Sequence, residues 1–199
     1  VVGDRIYLAT AEEKKQVQSV LCFEKVTGKL IWQRAIHTGN FVKGGNKNAS
    51  HASSAVVCDG TQLYVSFPND NKIHTTALSM EGKVLWQTAV SDYVIHQGFG
   101  TSPTVYRDVV IAKADSKKIG GAVAGLNKKT GKVIWKINRP KYPNYTTPVM
   151  ITAYGKLQMV FAGAELITSI DPLTGNKHWE FPGSTQECVT TAVTDGKRI

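Results

Sequence analysis

The segment GLNKKTGKVIW, residues 125–135, contains the pattern that decides the fold of this chain. Three further segments repeat it: LCFEKVTGKLIW at 21–32, ALSMEGKVLW at 77–86 and SIDPLTGNKHW at 169–179. All four tryptophans of the 199 residues end these segments, each four residues after a glycine. The predicted structural pairs are Gly28 and Trp32, Gly82 and Trp86, Gly131 and Trp135, and Gly175 and Trp179. The steps of 54, 49 and 44 residues between tryptophans indicate an internal repeat.

A second motif recurs in phase with the first. Pairs of Ser or Thr open short apolar runs at 53–54, 101–102, 146–147 and 190–191. A turn containing Asp or Gly and a run rich in Val, Ile and Tyr follow the first three, so each unit predicts four short strands. Four-stranded units that repeat at roughly this spacing are typical of a β-propeller.

The predicted fold is therefore all-β, a β-propeller of four-stranded antiparallel blades. We expect a single, partial propeller domain over residues 1–199. Its four blades are predicted at about 1–50, 51–100, 101–145 and 146–189, with the start of a fifth at 190–199.

The turn before each tryptophan has recognisable chemistry. Its glycine supplies the positive φ that a tight hairpin needs. Polar side chains that could bond the turn's own backbone stand at one equivalent position, in Glu24, Ser79, Asn127 and Asp171. Small residues occupy a neighbouring position and predict close approach of an adjacent sheet; they are Cys22, Ala77, Gly125 and Ser169.

Composition excludes several protein classes. Hydrophobic residues make up 42% and charged residues 20%, which is a globular composition. No apolar run is long enough for a transmembrane segment. The formal charge of +9 permits polyanion binding, but the lysines are scattered and no basic run is interleaved with aromatics, so no nucleic-acid partner is expected. The three cysteines, Cys22, Cys58 and Cys188, are interpreted as unpaired or buried thiols.

The sequence contains none of the catalytic motifs GxSxG, HExxH and GxxxxGK[ST]. We therefore predict no catalytic residue and no metal ligand. His51 and His96 precede consecutive first strands. They could face the mouth of a central channel and bind a metal or ligand there, or each could bond loop backbone or stack on Phe99 or a tyrosine. The other histidines, His37, His74 and His178, fit no constellation.

Four connections between blades are expected to gather on one face near the axis, at residues 41–52, 91–100, 137–145 and 180–189. Loops on a rigid scaffold often carry function. A mixed polar and aromatic rim suits a peptide, a sugar or a small ligand, although ordinary turn residues would look similar. The predicted ligand-binding residues are Asn48, His51, His96, Gln97, Tyr145, Gln186 and Glu187.

The repeat resembles a known family. The pattern A-x-D-x-x-T-G-K-x-x-W is the tryptophan-docking motif of the pyrroloquinoline-quinone (PQQ) repeat propellers, and segments 125–135 and 169–179 match it best. The first segment has Cys22 and Glu24 at the Ala and Asp positions, and the second is one residue shorter with Glu81 in place of Thr. Residues 48–67 and 96–112 look especially like secreted bacterial PQQ-like repeat proteins, as in planctomycetes.

The resemblance implies a ring of seven or eight blades, in which each tryptophan packs on the next blade and further blades of the same chain complete the ring. A closed ring of four blades is the alternative. It also implies a non-catalytic, BamB-like binding or scaffold module without a cofactor, in the periplasm, the cell envelope or secreted. Its partner would be a protein or small ligand at the loop-lined face.

The resemblance leaves two other functions open. One is a fragment of a quinoprotein dehydrogenase dependent on PQQ and calcium, although an adjacent cysteine pair and an acidic cluster are missing from this sequence. The other is a sensor or adaptor domain attached to another module.

Overall fold

The structure, a computed structural model, describes residues 1–198. That part of the chain forms fifteen strands and no helix. The first sheet contains β1 (Arg5–Glu12), β2 (Val17–Glu24) and β3 (Leu30–Thr38). The second contains β4 (Val57–Cys58), β5 (Gln62–Asn69), β6 (Lys72–Ser79) and β7 (Val84–Asp92). The third contains β8 (Thr104–Tyr106), β9 (Val109–Ala114), β10 (Gly121–Asn127) and β11 (Val133–Arg139). The fourth contains β12 (Val149–Ala153), β13 (Lys156–Gly163), β14 (Leu166–Ile170) and β15 (Lys177–Pro182).

Each sheet is an antiparallel meander of consecutive strands, which confirms the all-β prediction. The first sheet differs from the prediction because it has three strands instead of four. Only two residues precede its Gly3-Asp4 turn, and Val2 makes an isolated bridge to Arg5. Residues 190–198 contain no strand and Ile199 lies outside the described residues, so the start of a fifth blade stays a prediction.

Three hydrophobic clusters lie between consecutive sheets. Leu63 and Phe67 of the second sheet pack with Val20 of the first. The other two clusters join the second sheet to the third and the third to the fourth. Because each sheet packs face to face on the next, the core is a series of inter-sheet layers.

Three tryptophans lie across these inter-sheet boundaries. The indole Nε1 of Trp86 donates to the Lys128 carbonyl at 2.8 Å, and a Cβ added to Gly131 would lie 2.6 Å from the ring. Trp32 makes the same contacts with Met80 and Gly82, and Trp135 makes them with Pro172 and Gly175. Trp179 instead donates to Gln158 of its own sheet and remains 37% exposed.

The hairpin turns match their predicted chemistry. The side chains of Glu24, Ser79, Asn127 and Asp171 each accept hydrogen bonds from backbone N–H groups of their own turn. The prediction for the small residues is supported at two positions, because Cys22 and Ala77 belong to the hydrophobic clusters between consecutive sheets. Each of the four residues also lies directly opposite the tryptophan of its own sheet. A Cβ at Gly125 would lie 2.3 Å from the Trp135 indole, so small size there makes room for that ring as well.

Candidate functional site

The four connections that follow the outer strands contact one another in sequence order. The backbone N–H of Asn46 donates to the Gln97 carbonyl at 2.8 Å, and the Gln97 N–H donates to the Tyr145 hydroxyl at 3.3 Å. The Tyr145 N–H in turn donates to the Cys188 carbonyl at 3.0 Å. The structure therefore gathers the four predicted connections on one face.

A cavity of about 430 Å³ opens between these connections, and we call it the mouth cavity. Four of the seven predicted ligand-binding residues line it: Asn48, Gln97, Tyr145 and Glu187. The remaining lining residues are Asn46, Ala49, Ser53, Gly98, Phe99, Gly100 and Val189. The cavity combines side-chain amides, two hydroxyls and one carboxylate with a partly apolar surface.

The other three predicted residues lie outside this cavity. His51 lines a neighbouring cavity of about 480 Å³. Its ring centroid lies 4.6 Å from that of Phe41, with the two rings tilted by 42°, and its Nε2 lies 3.7 Å from the Glu13 carboxylate. Gln186 donates to the Glu165 carboxylate at 3.0 Å. His96 contacts the mouth cavity only through Glu187.

His96 joins two other elements of the face. Its Nε2 lies 2.9 Å from the Glu187 carboxylate, and its Nδ1 lies 2.9 Å from the Lys117 ammonium. Because an ammonium group can only donate, Nδ1 of His96 accepts the hydrogen bond from Lys117. Nε2 of His96 therefore carries the ring hydrogen and donates a hydrogen bond to the Glu187 carboxylate. The His96 ring therefore bonds two charged side chains, and neither the predicted bond to loop backbone nor the predicted stacking on Phe99 or a tyrosine is found for it within residues 1–198. The chain of three polar groups ties connection 180–189 to the third sheet.

Beneath Tyr145 lies a buried ionic cluster that the sequence analysis missed. The side chains of Lys113 and Asp115 are fully buried, with Nζ and Oδ2 2.8 Å apart, and Arg139 Nε lies 3.1 Å from Oδ1. Burial opposes ionisation of Asp115, but the two cations hold its pKa below the usual range. The single charged residue Lys113 within the otherwise apolar strand β9, VVIAKA, was the sequence signal for this buried cluster.

This cluster fixes the segment that carries Tyr145. Asn144 donates to Asp115 at 3.0 Å, and Lys113 donates to the Thr146 carbonyl at 3.1 Å. Both flanking residues of Tyr145 are thus bonded to buried charges. The ring therefore has a rigid support directly below the mouth cavity.

His37 and His74 form a second grouping that their sequence positions did not predict. They come from β3 and β6 of adjacent sheets, and their ring centroids lie 5.0 Å apart. Burial and then the proximity of His74 lower the pKa of His37 from 6.5 to about 4. Burial also lowers the pKa of His74. Both rings are therefore neutral at pH 7.

Acidification should destabilise the folded chain through this pair of histidines. The unfolded chain protonates His37 near pH 6.5 while the folded chain resists until about pH 4, so stability is lost as pH falls through that window. Replacing His37→Gln removes this penalty. Between pH 7 and 4.5 the unfolding free energy of the variant relative to wild type should therefore rise by about 2–3 kcal/mol. Urea titrations at both pH values check this; His178→Gln on the fourth sheet is the control, and parallel pH profiles for all three proteins would contradict it.

The described residues contain no group of three or more His, Cys, Asp or Glu side chains arranged to hold a metal ion. All three cysteines have free thiols, as predicted. Within the same residues, no helix has the length and apolar character needed to cross a membrane.

Comparisons with known proteins place this geometry in context. The family model described as "Outer membrane protein assembly factor BamB" matches residues 3–196. Subunit 1 of methanol dehydrogenase [cytochrome c] from Methylorubrum extorquens is 27% identical over 147 residues, which cover 65% of this chain and 23% of that protein.

Solved structures share the fold at low identity. BamB from Moraxella catarrhalis superposes with a TM-score of 0.56 and 15% identity, covering 92% of this chain and 51% of that chain. A europium-containing methanol dehydrogenase gives 0.64 and 14%, covering 92% and 41%. Quinohemoprotein alcohol dehydrogenase from Comamonas testosteroni gives 0.66 and 13%, covering 99% and 38%. The chain thus spans about half or less of these relatives' lengths, and the likeness shows a β-propeller fold.

Proposed function

Because this chain belongs to the PQQ-like repeat family described as outer membrane protein assembly factor BamB, we propose that it is a non-catalytic binding or scaffold module. Its ligand would be a protein or another component of the cell envelope. The observation that carries this proposal is the mouth cavity, which four connections line with neutral hydrogen-bonding groups and one carboxylate. The family description also supports a location in the periplasm, the envelope or outside the cell.

The rigidity of the cavity supports recognition rather than turnover. Tyr145 stands on the buried ionic cluster, and the connections are bonded to one another through backbone groups. A preformed surface loses little conformational entropy when a partner binds. We extend the proposed binding region to His51, His96 and Gln186, which flank the cavity on the same face.

A second candidate function is a fragment of a quinoprotein dehydrogenase, which the 27% identity to methanol dehydrogenase subunit 1 favours. Calcium takes roughly six to eight oxygen ligands. Among the described residues, Glu187 is the only carboxylate that lines the mouth cavity, and it lies 2.9 Å from His96; no Lys or Arg of that part of the chain lines the cavity to receive an anionic quinone. The mouth cavity therefore does not fit PQQ and calcium, and we derive no reaction step from it.

Site-specific crosslinking tests the proposed function. A photoreactive benzoylphenylalanine at position 97 should capture a defined envelope component, whereas the same group at exposed Lys129, in the turn between β10 and β11, should not. The two positions lie at opposite ends of their sheets. Equal capture at both positions, or capture at neither, would contradict a binding role for this face.

Titration with PQQ and calcium separates the two candidates. Saturable quinone binding near one equivalent per chain, with dye-linked alcohol oxidation, would favour the dehydrogenase. The binding-module proposal expects no saturation at tens of micromolar quinone.

A further inference from the structure

The walls of the mouth cavity retain unused hydrogen-bonding capacity. Among the described residues, the Asn48 side-chain amide and the Gln97 Nε2 group have no partner. Gln97 uses only its Oε1, which accepts from Asn46 at 3.1 Å. The Tyr145 hydroxyl accepts from the Gln97 N–H, so its own proton is still available. The cavity therefore offers both donors and acceptors to a ligand.

The charge of the lining restricts what that ligand can be. Glu187 is the only charged residue among the eleven that line the cavity, and one of its oxygens is engaged by His96. An anionic ligand would find no cation there. A cationic ligand would find one carboxylate, itself already bonded to an imidazole. Because most of the lining groups are neutral amides and hydroxyls, a neutral hydrogen-bonding ligand fits this lining best.

The apolar residues of the lining restrict the class of ligand further. Phe99 forms the floor but is only 5% exposed, so it presents no open ring face on which a sugar could stack. Val189 at the rim is 73% exposed and can receive a small aliphatic side chain. Gly98 and Gly100, which flank Phe99, also line the cavity and place backbone rather than side chains along its wall.

We propose that the mouth cavity binds a short, extended and uncharged segment of a partner polypeptide. Primary amides pair with peptide N–H and C=O groups alike, so Asn48 and Gln97 suit an extended backbone. Every second side chain of such a segment points the same way, and one small aliphatic residue would pack on the exposed Val189. This inference rests on the proposed function and names the chemical class of its partner.

Binding to an array of acetylated and amidated octapeptides tests the inference with the whole chain. The array holds three sets of equal size: neutral peptides containing Val, Ala, Thr or Ser, the same peptides with two Asp substitutions, and the same with two Lys substitutions. The neutral set should be enriched about tenfold over both charged sets. The double variant Asn48→Ala with Gln97→Ala should lose that enrichment, since two hydrogen bonds together amount to roughly a tenfold change in affinity or more.

Lys129→Ala is the matched control, and it should bind like wild type. Melting curves establish that every variant is folded; both mutated amides are exposed, so none should unfold. Enrichment of a charged set, binding unchanged by the double variant, or preference for a neutral oligosaccharide array would overturn the inference. Crosslinking at position 97 without any peptide preference would overturn the inference alone, whereas failure of both assays would also remove the proposed function.

Discussion

Asp115→Asn is expected to lower the free energy of unfolding by about 3–5 kcal/mol, because it leaves two buried cations without their counter-charge. Lys113 and Asp115 have fully buried side chains, and Arg139 is 3% exposed. Asparagine keeps the shape of the aspartate, but its amide nitrogen replaces one of the two oxygens that accept hydrogen bonds from Lys113, Arg139 and Asn144. The loss would therefore measure the missing negative charge and acceptor rather than a cavity.

Urea denaturation at pH 7 measures this change. Glu12→Gln is the control. Glu12 pairs with Lys15, and their side chains are 52% and 71% exposed respectively, so this ion pair should contribute no more than about 1 kcal/mol to stability. Lys113→Met leaves the bond between Asp115 and Arg139 in place and should cost less than Asp115→Asn. If the asparagine variant differs from wild type by no more than the Glu12 variant does, Asp115 does not stabilise the cluster as its geometry indicates.

The repeat could be predicted from sequence because its determinants are local. A glycine at positive φ, a polar residue that bonds its own turn and a tryptophan recur at fixed spacing, and each has its own physical reason. Gly131, for example, has φ of 71° and lies against Trp86 of the preceding sheet. Local chemistry and long-range packing therefore place their constraints on the same residue.

Features that depend on pairs of distant residues could not be predicted in the same way. His37 and His74 are 37 residues apart, and nothing in either segment shows that adjacent sheets bring their rings together. Lys113 and Asp115 were visible as charges near an apolar strand, but their third partner, Arg139, lies in another strand. A charged residue beside or within an apolar strand can be recognised in the sequence, whereas the distant residue that pairs with it cannot.

The candidate site could be predicted from the sequence only in part. The four connections were expected to meet, since successive hairpins return them to the same end of their sheets, and the structure brings them together. Which side chains point into the cavity depends on loop conformation instead. Gln97 points into it, whereas the adjacent His96 turns toward Lys117. The role of these residues in ligand binding stays a prediction.

Trp86→Ala is expected to lower the free energy of unfolding by about 3–5 kcal/mol, through loss of a buried aromatic side chain and the cavity that remains. The indole is 8% exposed, packs on Gly131 of the next sheet and donates to the Lys128 carbonyl. Trp179 occupies the same repeat position but is 37% exposed and bonds only within its own sheet. Trp179→Ala is therefore a matched control, and it should cost less than half as much.

Guanidinium denaturation of both variants, followed by circular dichroism, makes the comparison. The difference between the two losses isolates the inter-sheet contact, because the repeat position and the residue removed are the same. Equal losses would mean that each tryptophan stabilises only its own hairpin, and the sheets would then be held together by their aliphatic clusters. A larger loss at Trp86, accompanied by a smaller dependence on denaturant, would instead show that adjacent sheets no longer unfold as one unit. In that case the tryptophan couples the sheets, and the rigidity of the face that carries the mouth cavity depends on that coupling.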